Sequence, residues 1–382
     1  MVRRKQWIKI IESAWNEKTI IWLAGVRRVG KTYLAKSLEG VEYFDCELPR
    51  TKRILEDPEN ILKSLSGKRV VLDEIHRLDN PSQILKIAAD HFPSVKILAT
   101  GSSTLGASAK FKDTLTGRKK DVYLTPMAIS DLVDFDNTNL DHRLFSGGLP
   151  PFFLAKKFPE NDFQDWIDSY WAKDIQELFR LEKRASFQKF IELLFSQSGG
   201  IFEANKFTRA CEVSRPTISN YLKVLEATFL VSVIRPFSTN TSNEITSAPK
   251  VYGFDTGFIV YFKGWDKLRP DDRGFLWEHF VLNEIQAHLQ KRPLHYWRDK
   301  SGHEIDFVLK HRGEGVTAIE CKWTSNSFDS KNLRIFRKKY PIGENYLLAQ
   351  DIDRGFTKNI DGLQIQFKPL GEVRDILSVK LD

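Results

Sequence analysis

Cysteine is scarce in this chain of 382 residues: there are three, Cys46, Cys211 and Cys321. They are odd in number, far apart and without the close pairs of a zinc site, so neither a disulfide framework nor a zinc ligand set is expected. Each reads as a small buried packing residue in a reducing, cytoplasmic setting. Long apolar runs are also missing. Charge interrupts every hydrophobic stretch within about ten residues, well short of the ~20 that a bilayer-spanning helix needs, so no membrane span is expected. The opening Met1-Val-Arg-Arg-Lys-Gln-Trp7 has neither the apolar core nor the small-residue cleavage site of a secretory signal. No repeat of solenoid or propeller period occurs. The 22 glycines and 15 prolines are too few for a collagen-like or low-complexity chain.

What is present suits a folded protein: 41% hydrophobic and 28% charged residues exclude wholesale disorder. At this length two or three domains are expected. Basic residues outnumber acidic ones by 58 to 50, a net charge of +8, which mildly favours an acidic partner such as nucleotide or nucleic acid.

Residues 1–125 alternate short β-rich runs with helical patterns. The runs are Thr19–Ala24, Val41–Asp45, Arg69–Asp73, Val95–Thr100 and Asp121–Leu124. Near-continuous apolar strands separated by helices predict an α/β fold with a parallel sheet covered on both faces. Residues 126–186 read as a helical lid or connector, broken at Gly147-Gly-Leu-Pro-Pro151. Residues 187–240 read as a winged helix-turn-helix. Residues 241–382 form a second α/β region, with a long helix at about Phe275–Gln290 followed by strands.

Gly25-Val-Arg-Arg-Val-Gly-Lys-Thr32 has the spacing G-x-x-x-x-G-K-[ST] between a strand and a helix, the P-loop context. Gly25 and Gly30 allow backbone conformations closed to other residues. Successive N–H groups can then face phosphates. Lys31 can reach the β- and γ-phosphates, and the Thr32 hydroxyl can bind Mg²⁺. Arg28, Val29 and Tyr33 are further candidate nucleotide contacts. The apolar strand Val70-Val-Leu-Asp73-Glu74 ends in two carboxylates. Asp73 would hold Mg²⁺, directly or through water, and Glu74 would activate the attacking water. A third strand ends in Thr100-Gly-Ser-Ser103, where Ser102 or Ser103 could sense the γ-phosphate from a strand between the other two. Arg118, in Leu115-Thr-Gly-Arg-Lys-Lys120, is a candidate arginine finger acting across a subunit interface.

In residues 203–236, Phe207, Ala210, Val213, Ile218, Leu222 and Leu225 have spacing suited to two crossing helices. Ser214 would cap the second helix and Pro216 fits its first turn. Arg215, Thr217, Ser219, Asn220 and Lys223 could face DNA phosphates or bases. The charge surplus here is small, six Lys and Arg against four Asp and Glu over residues 187–236. Further on, Glu320 and Lys322 share one face of a strand, and Asp306 can sit opposite on a paired strand. This pattern resembles the PD-(D/E)xK nuclease core, with Asp306, Glu320 and Lys322 on the motif, two carboxylates for a second Mg²⁺, and Glu278, or alternatively Glu284, as the helical member. His279, His295 and His303 lack tight ligand spacing.

The first 150 residues resemble AAA-type ATPases. The Gly-x-Arg-Arg-x-Gly-Lys-Thr, Leu-Asp-Glu-Ile-His, Ala-Thr-Gly-Ser-Ser and Leu-Thr-Gly-Arg segments resemble a bacterial and archaeal group whose C-terminal half is a domain of unknown function. Gly-Gly-Leu-Pro, Tyr170-Trp-Ala-Lys-Asp174, Leu276-Trp-Glu-His-Phe280 and Tyr296 to Asp306 extend the likeness along nearly the whole chain. The resemblance implies adenine nucleotide use and assembly into a homo-oligomeric ring or partial ring, a hexamer included. The resulting expectation is an ATP-hydrolysing protein, using ATP and Mg²⁺, that binds and remodels branched or broken duplex DNA. An ATP-regulated, Mg²⁺-dependent nuclease and a nucleotide-dependent switch for protein partners are the alternatives.

Overall fold

The computed structural model describes residues 2–101, 109–176, 183–238, 248–290, 292–311 and 315–378. Two compact units are interleaved along the chain. Unit 1 takes Met1–Thr138, Leu149–Glu182 and Ala227–Leu230; unit 2 takes Asn139–Gly148, Lys183–Glu226 and Val231–Asp382.

Unit 1 is built on five strands, β1 Ile20–Ala24, β2 Val41–Asp45, β3 Arg69–Asp73, β4 Lys96–Thr100 and β5 Lys119–Tyr123. All pair in parallel, in the order β2-β3-β4-β1-β5. The inner strands are apolar almost throughout: β1 is buried at all five positions, β3 and β4 at four of five. Such strands need cover on both faces, as the sequence predicts. Because β4 is inserted between β1 and β3, the carboxyl ends of these three strands stand side by side, the place where open α/β sheets take ligands. The helix Lys5–Glu17 buries Trp7, Ile8, Ile11, Ala14 and Trp15 along one stripe. The short segment at 227–230 belongs to this unit through the Thr228 hydroxyl, 2.5 Å from the Tyr170 hydroxyl, and Phe229, which stacks on Tyr123 at 4.7 Å.

Part of the expected connector lies in unit 2: the helix Leu140–Ser146, which ends at Gly147 (φ 84°). A Cβ on Gly147 would come within 2.1 Å of Asp255 Oδ1, so only glycine allows this approach. Asp255 accepts hydrogen bonds from the N–H groups of Gly148 (2.6 Å) and Gly257 (3.0 Å).

Unit 2 carries a nine-stranded mixed sheet: β6 Gly200–Ile201, β7 Val231–Pro236, β8 Lys250–Gly253, β9 His295–Arg298, β10 Glu304–Lys310, β11 Val316–Lys322, β12 Asn345–Ala349, β13 Phe356–Ile360 and β14 Leu363–Lys368. Its order is β13-β14-β12-β11-β10-β9-β7-β8-β6. β7 is antiparallel to β8 and parallel to β9, through Arg235 opposite His295 and Pro236 opposite Tyr296. Strand β7, within the stretch expected to form the winged helix-turn-helix, therefore belongs to the same sheet as the C-terminal strands.

Two helices, Asn205–Cys211 and Arg215–Ala227, occupy the expected helix-turn-helix stretch. Ser214 Oγ accepts from the Thr217 N–H at 3.4 Å. The apolar phase of the first helix differs from expectation by one residue: Ala210 is exposed, Val213 is half-buried, and Cys211 is buried instead. Ile218, Leu222 and Leu225 are buried as expected, joined by Tyr221 and Val224. The long helix runs Pro270–Leu289, beginning five residues earlier than expected, because Pro270 opens its first turn and the Asp272 carboxylate accepts from the Arg269 N–H at 2.9 Å. Cys46, Cys211 and Cys321 are all buried and free. Among the described residues no helix is long and apolar enough to cross a membrane.

Candidate nucleotide-binding site

In unit 1, β1 leads into the loop at 25–30 and the helix Lys31–Lys36. Gly25 (φ 149°) and Gly30 (φ 102°) hold the conformations that glycine alone adopts freely. A Cβ on Gly25 would approach Leu124 O to 2.6 Å. The buried Lys31 folds into the loop, its Nζ donating to Gly25 O (2.8 Å) and Val26 O (3.1 Å). Burial pulls its pKa down, against the opposing charges of Glu74 and Asp174. Arg28 and Tyr33 are exposed, while Val29 is buried and its carbonyl accepts from Arg4 Nη1 at 3.1 Å.

β3 ends at the buried Asp73. Its carboxylate is held from both neighbouring strands: the Thr100 hydroxyl of β4 donates to Oδ1, and the Tyr43 hydroxyl of β2 donates to Oδ2 at 2.5 Å. Thr100 Oγ1 also accepts from the Glu74 N–H at 3.0 Å. Glu74 itself adopts φ 54°, and its Oε2 lies 3.1 Å from His76 Nδ1. Burial would raise the Glu74 pKa, but the His76 hydrogen bond and the Lys31 charge prevail and hold it below the ordinary value.

A cavity of about 640 Å³ opens over the loop. Gly25, Gly30, Lys31, Thr32 and Glu74 line its floor; Val2, Tyr33, Phe135, Pro150 and Leu154 supply apolar wall; Arg27, Lys173 and Asp174 add charge. Asp174 sits in a single π-helical turn, Trp171–Ile175, a backbone form often found at functional sites. It is buried and 3.1 Å from Arg27 Nη1. Burial pushes its pKa up, opposed by Arg27. Sequence reasoning missed Tyr43, Thr100, Arg27 and Asp174 as site residues. Asp174 had a signal, since it closes the Tyr170–Asp174 segment; Tyr43 had none, because its partner is reached only across strands. Ser102 and Ser103 lie outside the described residues. Arg118 does not line this cavity; its Nε donates to Asp90 Oδ1 at 2.7 Å.

In unit 2, the pairing of Phe307 with Ile319, continued by one residue, sets Asp306 across from Glu320. Asp306 Oδ2 accepts from the Cys321 N–H at 2.8 Å. Lys322 Nζ lies 3.2 Å from Glu320 Oε2 and 3.9 Å from Asp306 Oδ2. Burial, then the neighbouring Asp306 carboxylate, pushes the Glu320 pKa up to about 8 against the pull of Lys322. Of the two helical candidates, Glu278 faces this group and Glu284 sits 3.3 Å from His288 Nε2. Lys250 and Tyr252 on β8 and Glu304 on β10, which join the cluster, were not foreseen from sequence. The three histidines sit in local contacts: His279 with Ser198, His303 with Asp299, and His295 beside Phe237. On the helix Arg215–Ala227, Arg215, Asn220 and Lys223 are exposed, whereas the Thr217 hydroxyl is 2.9 Å from that of Ser214.

Residues 17–133 match a family described as an AAA domain. Residues 137–269 and 273–362 match two families each described as a domain of unknown function, DUF8612 and DUF4143. The uncharacterized protein Rv2008c of Mycobacterium tuberculosis and its counterpart Mb2031c of Mycobacterium bovis are each 27% identical over 347 residues, covering 87% of this chain and 77% of theirs. Among solved structures, the Walker-type ATPase paby2304 of Pyrococcus abyssi is similar at 14% identity and a TM-score of 0.45, over 69% of this chain and 96% of that one. The DNA clamp loader delta protein of Bacillus subtilis is similar at 11% identity and a TM-score of 0.26, over 72% and 98%. These two likenesses are too loose to place any residue of the site. With the glycine loop and the parallel sheet in view, residues 17–133 form an AAA-type P-loop domain.

Proposed function

We propose that this chain binds ATP in the cavity over residues 25–32 and hydrolyses it. The observation that carries this reading is the convergence on one cavity of the glycine loop, the buried Lys31 and Glu74, with the adjacent Asp73 held by Thr100 and Tyr43. The loop N–H groups and Lys31 would bind the triphosphate. The apolar wall from Val2 to Leu154 suits the base. Thr32 and Asp73 would supply oxygen donors of the kind a hard cation takes, and Mg²⁺ held there would neutralise phosphate charge. Asp73, whose two oxygens already accept hydroxyl protons, is suited to hold it through water. Glu74, kept ionised by His76 and Lys31, takes the proton of the water that attacks the γ-phosphorus. Arg118, absent from the cavity of its own chain, would reach that of a neighbouring copy in a ring.

The test is a pair of variants. Lys31→Ala is expected to lose ATP binding in equilibrium titration. Glu74→Gln is expected to keep binding and lose about 10²- to 10⁴-fold in kcat. Unchanged ATP binding and turnover in both would remove the reading.

The proposed use of that hydrolysis is work on DNA. Exposed Arg215, Asn220 and Lys223 share one side of a helix whose opposite side is buried, the arrangement of a recognition helix. Gel shifts with duplex and branched DNA should show binding that weakens with salt and is lost when all three become alanine.

A further inference from the structure

The acidic cluster of unit 2 has the outline of a divalent-metal site, but its occupancy by protein groups does not fit one. Glu278, the carboxylate that the long helix contributes, is taken: Tyr252 OH donates to its Oε1 at 2.6 Å, and Lys250 Nζ stands 3.4 Å from the same atom. The Lys250 ammonium also pairs with Glu304 Oε1. Lys250 is only 5% exposed, so this is an internal charge and not a side chain resting on the surface. Its position is enforced by its strand. Lys250 and Tyr252, two apart on β8, point to the same face, and the rings of Tyr252 and Tyr296 lie 5.8 and 5.7 Å from the ammonium. Asp306 has one oxygen committed to the Cys321 N–H, and Glu320 has one oxygen on Lys322. Among the described residues no group of three or more His, Cys, Asp or Glu is placed to hold a metal ion.

We infer that Lys250 is a built-in counter-cation: its ammonium fills the place of a divalent metal, withholding Glu278 and Glu304 and leaving unit 2 without a metal site. Buried carboxylates must be neutralised by something. Here two lysines, Lys250 and Lys322, serve four carboxylates, Glu278, Glu304, Asp306 and Glu320, helped only by Arg298, 3.3 Å from the second oxygen of Glu304. The deficit shows at Glu320, whose buried Oε1 has no hydrogen-bond partner among the described residues. Removing the Lys250 charge would free Glu278 to join Asp306 and Glu320, three carboxylates around one space, which is a set that Mg²⁺ or Mn²⁺ takes.

The experiment is Mn²⁺ titration of the full chain without nucleotide, read by electron paramagnetic resonance. Lys250→Met, close in length but neutral, is expected to gain a Mn²⁺ site at least about ten-fold tighter than any in the unaltered chain. Adding Glu320→Gln to it should abolish the gain. A folded Lys250→Met chain that binds no better than the original would overturn the inference. A second measurement does not depend on that variant folding. Mn²⁺ should shift the thermal melting of the original chain and of Glu320→Gln equally little. A shift in the original chain that vanishes in Glu320→Gln would show a metal site already in place and refute the counter-cation role.

Discussion

A single oxygen, Thr100 Oγ1, holds both acids of the candidate nucleotide site: it donates to Asp73 Oδ1 and accepts from the Glu74 N–H. Thr100→Val keeps the shape and removes both bonds. The expected result is a loss of roughly ten- to a hundred-fold in kcat with little change in KM, since Glu74, the proposed general base, shifts while the glycine loop is untouched. Thr100→Ser should restore most of it, and steady-state ATPase assays decide both. Residues of this kind were illegible in the sequence. Gly25, Lys31, Asp73 and Glu74 announce themselves because each sits in a contiguous motif whose chemistry is local. Thr100, Tyr43 and Lys250 act on partners in other elements, and which elements meet depends on strand order and register, which local patterns leave open.

Among the elements, the N-terminal helix is tied down at its first turn. Arg4 donates through Nε and Nη2 to the two oxygens of Asp131, at 2.8 and 2.6 Å, and through Nη1 to Val29 O. Both partners are almost wholly buried, at 4% and 0% exposure. Arg4→Met would strand the Asp131 carboxylate, at a cost of about 3–5 kcal/mol. A lower urea midpoint, with ATP affinity falling because Val29 belongs to the phosphate loop, is the expected outcome. The parallel strands of unit 1 were readable because inner strands are apolar at nearly every position. The first helix of the helix-turn-helix was readable only to within one residue: seven residues are two turns, too few for spacing to fix which face is buried, so Cys211 and not Ala210 packs inward. The π-helical turn at Trp171–Ile175 left no mark in the apolar pattern, because one extra residue in a turn shifts the stripe no more than an ordinary irregularity.

For the molecule as a whole, His279 makes stability depend on pH. Its Nε2 is 2.7 Å from Ser198 Oγ and its Nδ1 is 2.8 Å from Phe275 O. Burial, against the Phe275 carbonyl and with help from the charges of Lys250 and Lys263, takes its pKa from 6.5 down to about 4. The unfolded chain therefore binds a proton that the folded chain refuses between these two values. The stabilising contribution is complete above pH 6.5 and is lost as pH falls toward 4. From pH 7 to pH 5 the loss should be about 2 kcal/mol. Urea unfolding at the two pH values should show it, with a shallower pH slope in His279→Asn.

The interleaving of the two units sets a condition on synthesis. Unit 1 draws its last strand from the early part of the chain but still needs Leu149–Glu182 and Ala227–Leu230, with the unit 2 segment Asn139–Gly148 emerging between. A growing chain that has delivered the whole parallel sheet by Tyr123 must wait for roughly another hundred residues, several seconds at least of translation, before Thr228 and Phe229 can reach Tyr170 and Tyr123. Neither half can be inherited, exchanged or lost as one uninterrupted stretch of gene.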